Sequence, residues 1–301
     1  MKKPFPAYLE SFESGELGRI AGKLGSLLSA CRLCPRKCGA DRARGETGFC
    51  GAGKKLKISS HFPHFGEEPC LVGRNGSGTI FFAHCNLKCA FCQNYEISHS
   101  AEGREAETEE LVGCMLELQK LGCHNINLVT PTHFAPQIVS ALELAAGGGL
   151  RLPLVYNCGG YESAEVLELL AAVVDIYMPD AKFSAPEVSR RFCGAPDYFD
   201  ALKTALKIMH SQVGDLAIEN GLARRGLLIR HLVMPQGLAG TGEIMNFIAK
   251  ELSPDAYVNI MAQYRPCGEA RKFPEINRPV TPGEYRDATR LAVAAGLRRV
   301  D

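Results

Sequence analysis

Six short apolar runs, separated by amphipathic stretches, limit what this 301-residue chain can fold into more than any other feature. The runs cover residues 79–82, 126–130, 154–157, 173–178, 227–233 and 257–262. Each is rich in branched or aromatic side chains and is followed by a polar residue, Pro or Gly, as buried strands are. Strands that alternate with helices predict an α/β fold with a parallel sheet, either doubly wound or closed as a full or partial barrel.

The stretches between these runs have the signals of helices. Helices are predicted over residues 1–30, after an N-cap at Thr108, over 135–146 and 164–172, and at two capping-box pairs, Ser184 with Glu187 and Thr281 with Glu284. Residues 31–75 differ, because they hold Gly, Pro, Arg, Lys and Cys with little apolar periodicity. A bound metal would be the natural means of stabilising such a segment.

Charge and cysteine content narrow the function classes. A formal net charge of +1 disfavours nucleic acid and anionic membranes as partners. No apolar run reaches the roughly 18 residues of a membrane span, and Glu10 and Glu13 come too early for a signal peptide, so we expect a cytoplasmic protein. In a reducing compartment, 13 cysteines indicate metal binding or redox chemistry rather than disulfides.

Three cysteines follow the first predicted strand. Cys85, Cys89 and Cys92 have C-x3-C-x2-C spacing on a loop at the strand end where β/α barrels place their sites. Three thiolates are one fewer than a closed structural zinc site needs, whereas a 4Fe–4S cluster with three cysteine ligands keeps one iron free for a small molecule. On spacing alone, a zinc site completed by His84 or His99 is the alternative.

Four cysteines lie upstream in a segment rich in Gly and Arg. They are Cys31, Cys34, Cys38 and Cys50. Their spacing is compatible with a structural zinc site, with an auxiliary 4Fe–4S cluster or with reduced thiols that bind nothing, and it does not decide between them. The polar and aromatic residues 61–68 predict a loop that caps the sheet, with a zinc site or a lid as alternatives.

The three-cysteine motif, with Phe91 in its aromatic place, resembles the radical S-adenosylmethionine (SAM) superfamily. Four further segments resemble its PflX type, which is similar to pyruvate formate-lyase activating enzyme: residues 89–98, 130–134, 174–180 and 257–261, together with the upstream segment 31–38. The resemblance implies a partial (β/α)6 TIM-like barrel over residues 76–301. An N-terminal helical arm and Cys-rich metal-binding extension would occupy residues 1–75.

The resemblance also implies a chemistry. Cys85, Cys89 and Cys92 would hold a 4Fe–4S cluster whose open iron binds SAM, and reductive cleavage would yield a 5′-deoxyadenosyl radical. The reductant would be a protein such as flavodoxin or ferredoxin. The radical would activate a glycyl radical enzyme, or modify a small molecule or a peptide. A non-catalytic iron–sulfur or zinc electron-transfer module is the alternative from another class, and six β/α units argue against it.

Residues at strand ends are the cofactor contacts that the resemblance implies. Activating enzymes carry Gly-Gly-Glu after the second strand, where it meets the amino group of SAM. This chain has Thr130-Pro131-Thr132-His133 there, so Thr130, Thr132 or His133 is expected to supply that contact. The other expected cofactor-binding residues are Phe91, Asn94, Asn157, Gly159, Asp180, Lys182, Arg230, His231 and Gln263.

Overall fold

The computed structural model describes residues 5–301, which contain one ten-stranded sheet. The strands are β1 (Leu56–His64), β2 (Ser77–Phe82), β3 (Arg104–Ala106), β4 (Ile126–Val129), β5 (Leu154–Cys158), β6 (Ile176–Pro179), β7 (Ala217–Glu219), β8 (Leu222–Leu232), β9 (Tyr257–Met261) and β10 (Arg299–Val300). The α-helices are α1 (Tyr8–Glu13), α2 (Glu16–Ser26), α3 (Pro69–Val72), α4 (Tyr95–Ser98), α5 (Thr108–Lys120), α6 (Ala135–Gly147), α7 (Ala164–Leu169), α8 (Pro186–Cys193), α9 (Tyr198–Val213), α10 (Thr241–Phe247) and α11 (Pro282–Ala294). The strand order is β10-β9-β8-β6-β5-β4-β2-β1-β3, and β7 pairs with β8 beside this path.

All six predicted strands are confirmed, as β2, β4, β5, β6, β8 and β9, and each pairs in parallel with the next. Their order follows the chain without reversal, which excludes a doubly wound sheet. The sheet also curls, because Glu68 beyond β1 accepts a hydrogen bond from Asn259 in β9 (2.7 Å) near the other end of the strand order. The α/β partial (β/α)6 barrel is therefore confirmed.

Four strands, β1, β3, β7 and β10, were not predicted. β1 pairs with β2 on one side and with β3 on the other. The predicted domain boundary between residues 75 and 76 falls between β1 and β2, and the division itself stays a prediction. No helix within residues 5–301 is long and apolar enough to cross a membrane.

The helix signals were accurate only in part. The capping box of Thr281 and Glu284 is present and α6 has nearly its predicted bounds. Thr108 is inside α5, because the Glu107 side chain caps that helix instead. The capping box predicted at Ser184 is wrong, since α8 begins at Pro186 after an extended Ala185. The predicted arm forms α1 and α2, separated at a left-handed Gly15, and residues 1–4 lie outside the described part.

Gly160, just beyond β5, occupies a position that only glycine fits. Its φ is +76°, and a Cβ there would overlap the carbonyl oxygen of Asp180 and lie 2.7 Å from Leu202 Cδ1. We expect Gly160→Ala to lower the free energy of unfolding by about 3 kcal/mol or more, because the clash adds to left-handed strain. Gly15→Ala is the control, since Gly15 has φ +73° but nothing within 4 Å, and strain alone costs about 1–2 kcal/mol. Equal losses in urea unfolding would contradict this account.

Candidate active site

The loop that carries Cys85, Cys89 and Cys92, hereafter the cavity cysteines, has a constrained backbone. His84 and Lys88 have positive φ values of 72° and 48°. Such strain persists only where the surroundings hold it in place. The holding bonds are Asn86 Nδ2 to Tyr161 O (2.8 Å), Ala90 N to Phe192 O (2.8 Å) and Glu269 N to Ala90 O (2.7 Å). The loop is thus preformed by three separate parts of the chain.

Each cavity cysteine sulfur has a hydrogen-bond donor. The bonds are Leu87 N to Cys85 Sγ (3.4 Å), Ser98 Oγ to Cys92 Sγ (3.2 Å) and Cys193 Sγ to Cys89 Sγ (3.3 Å). Donors of this kind support thiolate ligands of iron–sulfur clusters and tune their potential. Cys193 is 104 residues from its partner, and nothing in the sequence signals the contact.

Without a bound metal, the deprotonated form of the three cavity cysteines would be unfavourable. Burial first, and then the neighbouring Cys89 and Cys92, raise the pKa of Cys85 to about 12. The contact with Cys193, followed by burial, raises the pKa of Cys89 well above its usual range. Positive charge bound between the sulfurs would reverse these shifts. The donor set therefore fits a metal centre.

That centre does not fit a single zinc ion. Within residues 5–301, no three His, Cys, Asp or Glu side chains are close enough to share one metal ion. His99 stacks on Tyr95 with ring centroids 4.1 Å apart and contacts Ser98, while the His84 ring lies against Gly51, where a Cβ would be 3.1 Å from its Nδ1. The zinc alternative at this loop is not supported. Three hydrogen-bonded thiols that form no single-ion site fit a 4Fe–4S cluster, in which each thiolate binds a different iron.

A cavity of about 780 Å³ adjoins the cavity cysteines. It is lined by every residue predicted to bind the cofactor except Thr132, His133 and His231, namely Phe91, Asn94, Thr130, Asn157, Gly159, Asp180, Lys182, Arg230 and Gln263. Phe91 also packs against Phe183, with ring centroids 5.7 Å apart. A Cβ on Gly159 would lie 2.7 Å from Leu87 Cδ1, so this glycine lets β5 approach the cysteine loop. The volume suits a small-molecule ligand.

Asp180 and Lys182 form an ion pair in this cavity, with Lys182 Nζ 2.5 Å from Asp180 Oδ2. Burial opposes the charge on Lys182, but the Asp180 carboxylate and the Cys89 thiol outweigh it and hold the pKa of Lys182 well above its usual range. The cavity therefore presents a permanent ammonium and a carboxylate beside the cavity cysteines.

The wall of the cavity also contains charged residues, of which only Arg230 was predicted to bind the cofactor. Arg230 pairs with Glu67 and, at 2.6 Å, with Glu68, and Asn259 also donates to Glu68. Both glutamates were predicted only as members of a capping loop. They belong to the segment between β1 and α3, which reaches across the sheet to β8 and β9. No local signal could reveal partners some 160 residues away.

Thr132, His133 and His231 are the three predicted cofactor-binding residues that do not line the cavity. Thr132 Oγ1 donates to the buried Glu162 (2.8 Å), and His133 Nε2 is hydrogen-bonded to the Ala83 carbonyl (2.8 Å). The His231 ring bonds Thr241 and a backbone carbonyl. Burial lowers the pKa of His133 to about 3 and that of His231 to about 4, so both are neutral supports of the barrel wall. Of the three candidates for the amino-group contact, only Thr130 lines the cavity, and its positive φ of 59° aims it there.

Glu162 gives the protein a pH-dependent stability. Burial raises its pKa from 4.5 to about 7, against hydrogen bonds from Thr132 and Tyr156. The folded state therefore binds a proton that the unfolded state releases, and stability falls as pH rises from about 4.5 through 7, by up to about 3 kcal/mol. Glu162→Gln should remove this slope. His133 and His231 titrate in both proteins, so their contributions cancel when the unfolding free energy of the variant is subtracted from that of the wild type. If this difference does not change between about pH 5 and pH 8, the assignment to Glu162 is contradicted.

The structure can now be compared with known proteins. The family model described as the radical SAM superfamily matches residues 79–218, which include the cavity cysteines. An "Uncharacterized protein MJ0674" of Methanocaldococcus jannaschii is 35% identical over 276 residues, which cover 89% of this chain and 75% of that protein. This chain belongs to the radical SAM superfamily. Membership of this superfamily implies a 4Fe–4S cluster and SAM as cofactors. Membership of the PflX type stays a prediction.

Two solved structures match part of this chain at low similarity. Streptococcus suis SuiB bound to SAM has a TM-score of 0.48 at 13% identity, over 69% of this chain and 44% of SuiB. Methylornithine synthase PylB has a TM-score of 0.46 at 14% identity, over 74% of this chain and 70% of PylB. This chain thus spans less than half of SuiB. Neither likeness bears on the substrate of this enzyme.

Proposed function

We propose that this protein cleaves SAM reductively at a 4Fe–4S cluster bound by the cavity cysteines, and that the radical abstracts a hydrogen atom from a substrate. One observation carries the proposal: a single cavity joins the cavity cysteines to the polar strand-end residues. When bound, the cluster would supply the electron that breaks a carbon–sulfur bond of SAM and gives methionine and a 5′-deoxyadenosyl radical. A cytoplasmic location is part of the proposal, because reducing compartments keep thiols free.

The chain's own residues would bind and orient SAM. Asp180 presents a carboxylate that suits ribose hydroxyls, and the Lys182 ammonium suits the carboxylate of SAM. Asn157 ends β5 and faces the same cavity, where its amide suits the nucleoside. These groups are held by buried strands, so they would position the ligand and limit the access of water.

The first candidate substrate is a glycyl radical enzyme, from which a backbone glycine hydrogen would be abstracted. The resemblance of the cysteine loop and of residues 174–180 to the PflX type, which is similar to an activating enzyme, supports it. Residues 130–133 depart from the Gly-Gly-Glu of activating enzymes. A peptide as substrate is the closely related possibility. The electron would come from a flavodoxin or ferredoxin, because each is a one-electron carrier protein.

The second candidate substrate is a small polar molecule. A glycine backbone has no charge for a protein to recognise, yet the wall opposite the cavity cysteines carries Arg230, Glu67 and Glu68. Buried charges in a ligand cavity commonly fix the orientation of a polar ligand. This wall favours a substrate that is small enough to enter the barrel.

Anaerobic turnover with SAM and a reductant tests the proposal. The purified enzyme should form 5′-deoxyadenosine, and its absence would contradict the function. Adding the small-molecule filtrate and the protein fraction of an anaerobic extract of the source organism would then separate the two substrates. A new organic radical in the protein fraction would support glycyl activation. Stimulation of 5′-deoxyadenosine formation by the filtrate alone would support a small molecule.

A further inference from the structure

Cys31, Cys34, Cys38 and Cys50, hereafter the upstream cysteines, are brought together by the fold, although they do not line the cavity. Cys31 N donates to Ala40 O (2.9 Å), and Gly39 N donates to Cys31 O (3.1 Å). These bonds close a loop that carries Cys34 and Cys38. A positive φ at Gly39 (70°) completes the turn. Three thiols therefore lie on one compact loop.

Cys50 reaches this loop from the following segment. A Cβ on Gly48 would overlap Cys38 Sγ, so the chain before Cys50 passes directly against that sulfur. Cys31 and Cys50 lie near enough to Cys34 for their charges to act on it. Cys50 is in turn within that range of Cys31 and Cys38. The four sulfurs share one region of the protein.

Arg42 is a fully buried cation beside them. Its guanidinium donates to the carbonyls of Gly53 (2.8 Å) and His133 (2.8 Å), and Nη1 lies 3.9 Å from Cys31 Sγ. These partners are neutral carbonyls and a thiol, with no carboxylate among them. A buried cation without an anion costs several kcal/mol. Thiolates that bind a metal centre would supply the missing negative charge.

A single metal ion does not fit the upstream cysteines. A structural zinc holds four ligands around a single point at about 2.3 Å. Between residues 5 and 301, no three His, Cys, Asp or Glu side chains could hold one metal ion. In a 4Fe–4S cluster each cysteine binds a different iron, so its four cysteines need not converge on one point. The cavity cysteines likewise form no single-ion site.

Two side chains join the upstream cysteines to the cavity cysteines. Arg36, between Cys34 and Cys38, donates to the carbonyls of Asn86 (3.0 Å) and Cys193 (2.6 Å). Asn86 follows Cys85 in the chain, and Cys193 contacts Cys89. The His84 ring, next to Cys85, lies against Gly51, which follows Cys50, since a Cβ there would be 3.1 Å from His84 Nδ1. The two groups of cysteines therefore pack against each other through short covalent and hydrogen-bonded paths.

We propose that the upstream cysteines hold a second 4Fe–4S cluster that relays electrons to the cavity cysteines. A reduced flavodoxin- or ferredoxin-type protein would give up one electron, the second cluster would accept it and pass it on, and no bond or proton changes hands in the relay. Cys38 is exposed, so the electron enters on that side. The relay role rests on the proposed SAM cleavage, whereas the metal site does not.

Metal analysis tests the site itself. A variant with Ala at all three cavity cysteines should keep about four irons and four sulfides per chain. The EPR signal of its reduced cluster should not change when SAM is added. Ala at both Cys34 and Cys38 leaves only two upstream thiols, so this double variant should lose those irons and keep a SAM-responsive signal from the cavity site. One zinc, or no metal, in the triple variant would overturn the proposal. Irons in the triple variant together with a wild-type signal indifferent to SAM would uphold this site and reject the proposed function.

Reduction kinetics test the relay. In the double variant with Ala at Cys34 and Cys38, SAM cleavage driven by reduced flavodoxin should fall at least about tenfold more than cleavage driven by dithionite, a small reductant that bypasses the relay. Cys114→Ala, which changes a buried thiol on α5, is the control and should affect both rates alike. Equal losses with both reductants in the double variant would overturn the relay role.

Discussion

Replacing any one of Cys85, Cys89 and Cys92 by Ala should abolish SAM cleavage. Each sulfur binds one iron of the cluster in this account, so two remaining thiols cannot hold it with an open iron. We expect 5′-deoxyadenosine formation to fall by at least about a thousandfold, to the background rate. The measurement is product formation under anaerobic conditions with excess SAM and dithionite, together with the iron content of each variant.

The control for this prediction is Cys114→Ala. Cys114 is a buried thiol of α5 outside the cavity, so its loss costs packing but no ligand. This variant should keep its iron and its cleavage rate. Cleavage that persists in the Cys85, Cys89 or Cys92 variants would show that the cluster is assigned to the wrong cysteines.

Arg230→Met should cause the second large effect, a loss of stability. Arg230 is the cation between Glu67 and Glu68, whose side chains are only 7% and 2% exposed. Without the guanidinium, two adjacent buried carboxylates remain unpaired, which costs about 3–5 kcal/mol. Burial favours the protonated form of Glu68, but Arg230 outweighs it and lowers the pKa of that carboxyl. Denaturant unfolding should therefore show a larger loss in alkaline than in acidic solution.

Two further variants make this prediction specific. Lys207→Met removes a cation of similar length from a surface pair with Glu251, about half exposed on both sides, and should cost less than about 1 kcal/mol. Adding Glu67→Gln and Glu68→Gln to Arg230→Met removes the unpaired charges and should recover most of the loss. If Arg230→Met were no more harmful than Lys207→Met, the buried network would not have the stabilising role given to it here.

The sequence was sufficient to predict the six consecutive parallel strands but not β1. β2 and β5 consist mainly of buried residues, so their apolar runs are visible in the sequence. β1 is half polar and contains Pro63, and its burial comes from pairing with β2, which only the fold provides. Once the strands were located, the residues that line the cavity could be predicted at their ends, because parallel strands bring their carboxyl ends to one edge of the sheet.

The differences between the predicted site residues and the residues that line the cavity have physical causes. Arg230 and His231 are consecutive in β8, and successive side chains of a strand point to opposite faces, so only one can face the cavity. After β4, a short 3₁₀ turn over Thr132–Phe134 carries Thr132 and His133 into the barrel wall. Glu67 and Cys193 were missed because their partners are far away along the chain.

EPR of the anaerobically reduced protein, recorded with and without SAM and paired with an iron count, tests the central claim most directly. The account predicts at least about four irons per chain and a cluster signal whose shape changes when SAM is added, because SAM binds the open iron at the cavity cysteines. A signal that is identical with and without SAM, or a protein that binds zinc and no iron, would contradict it.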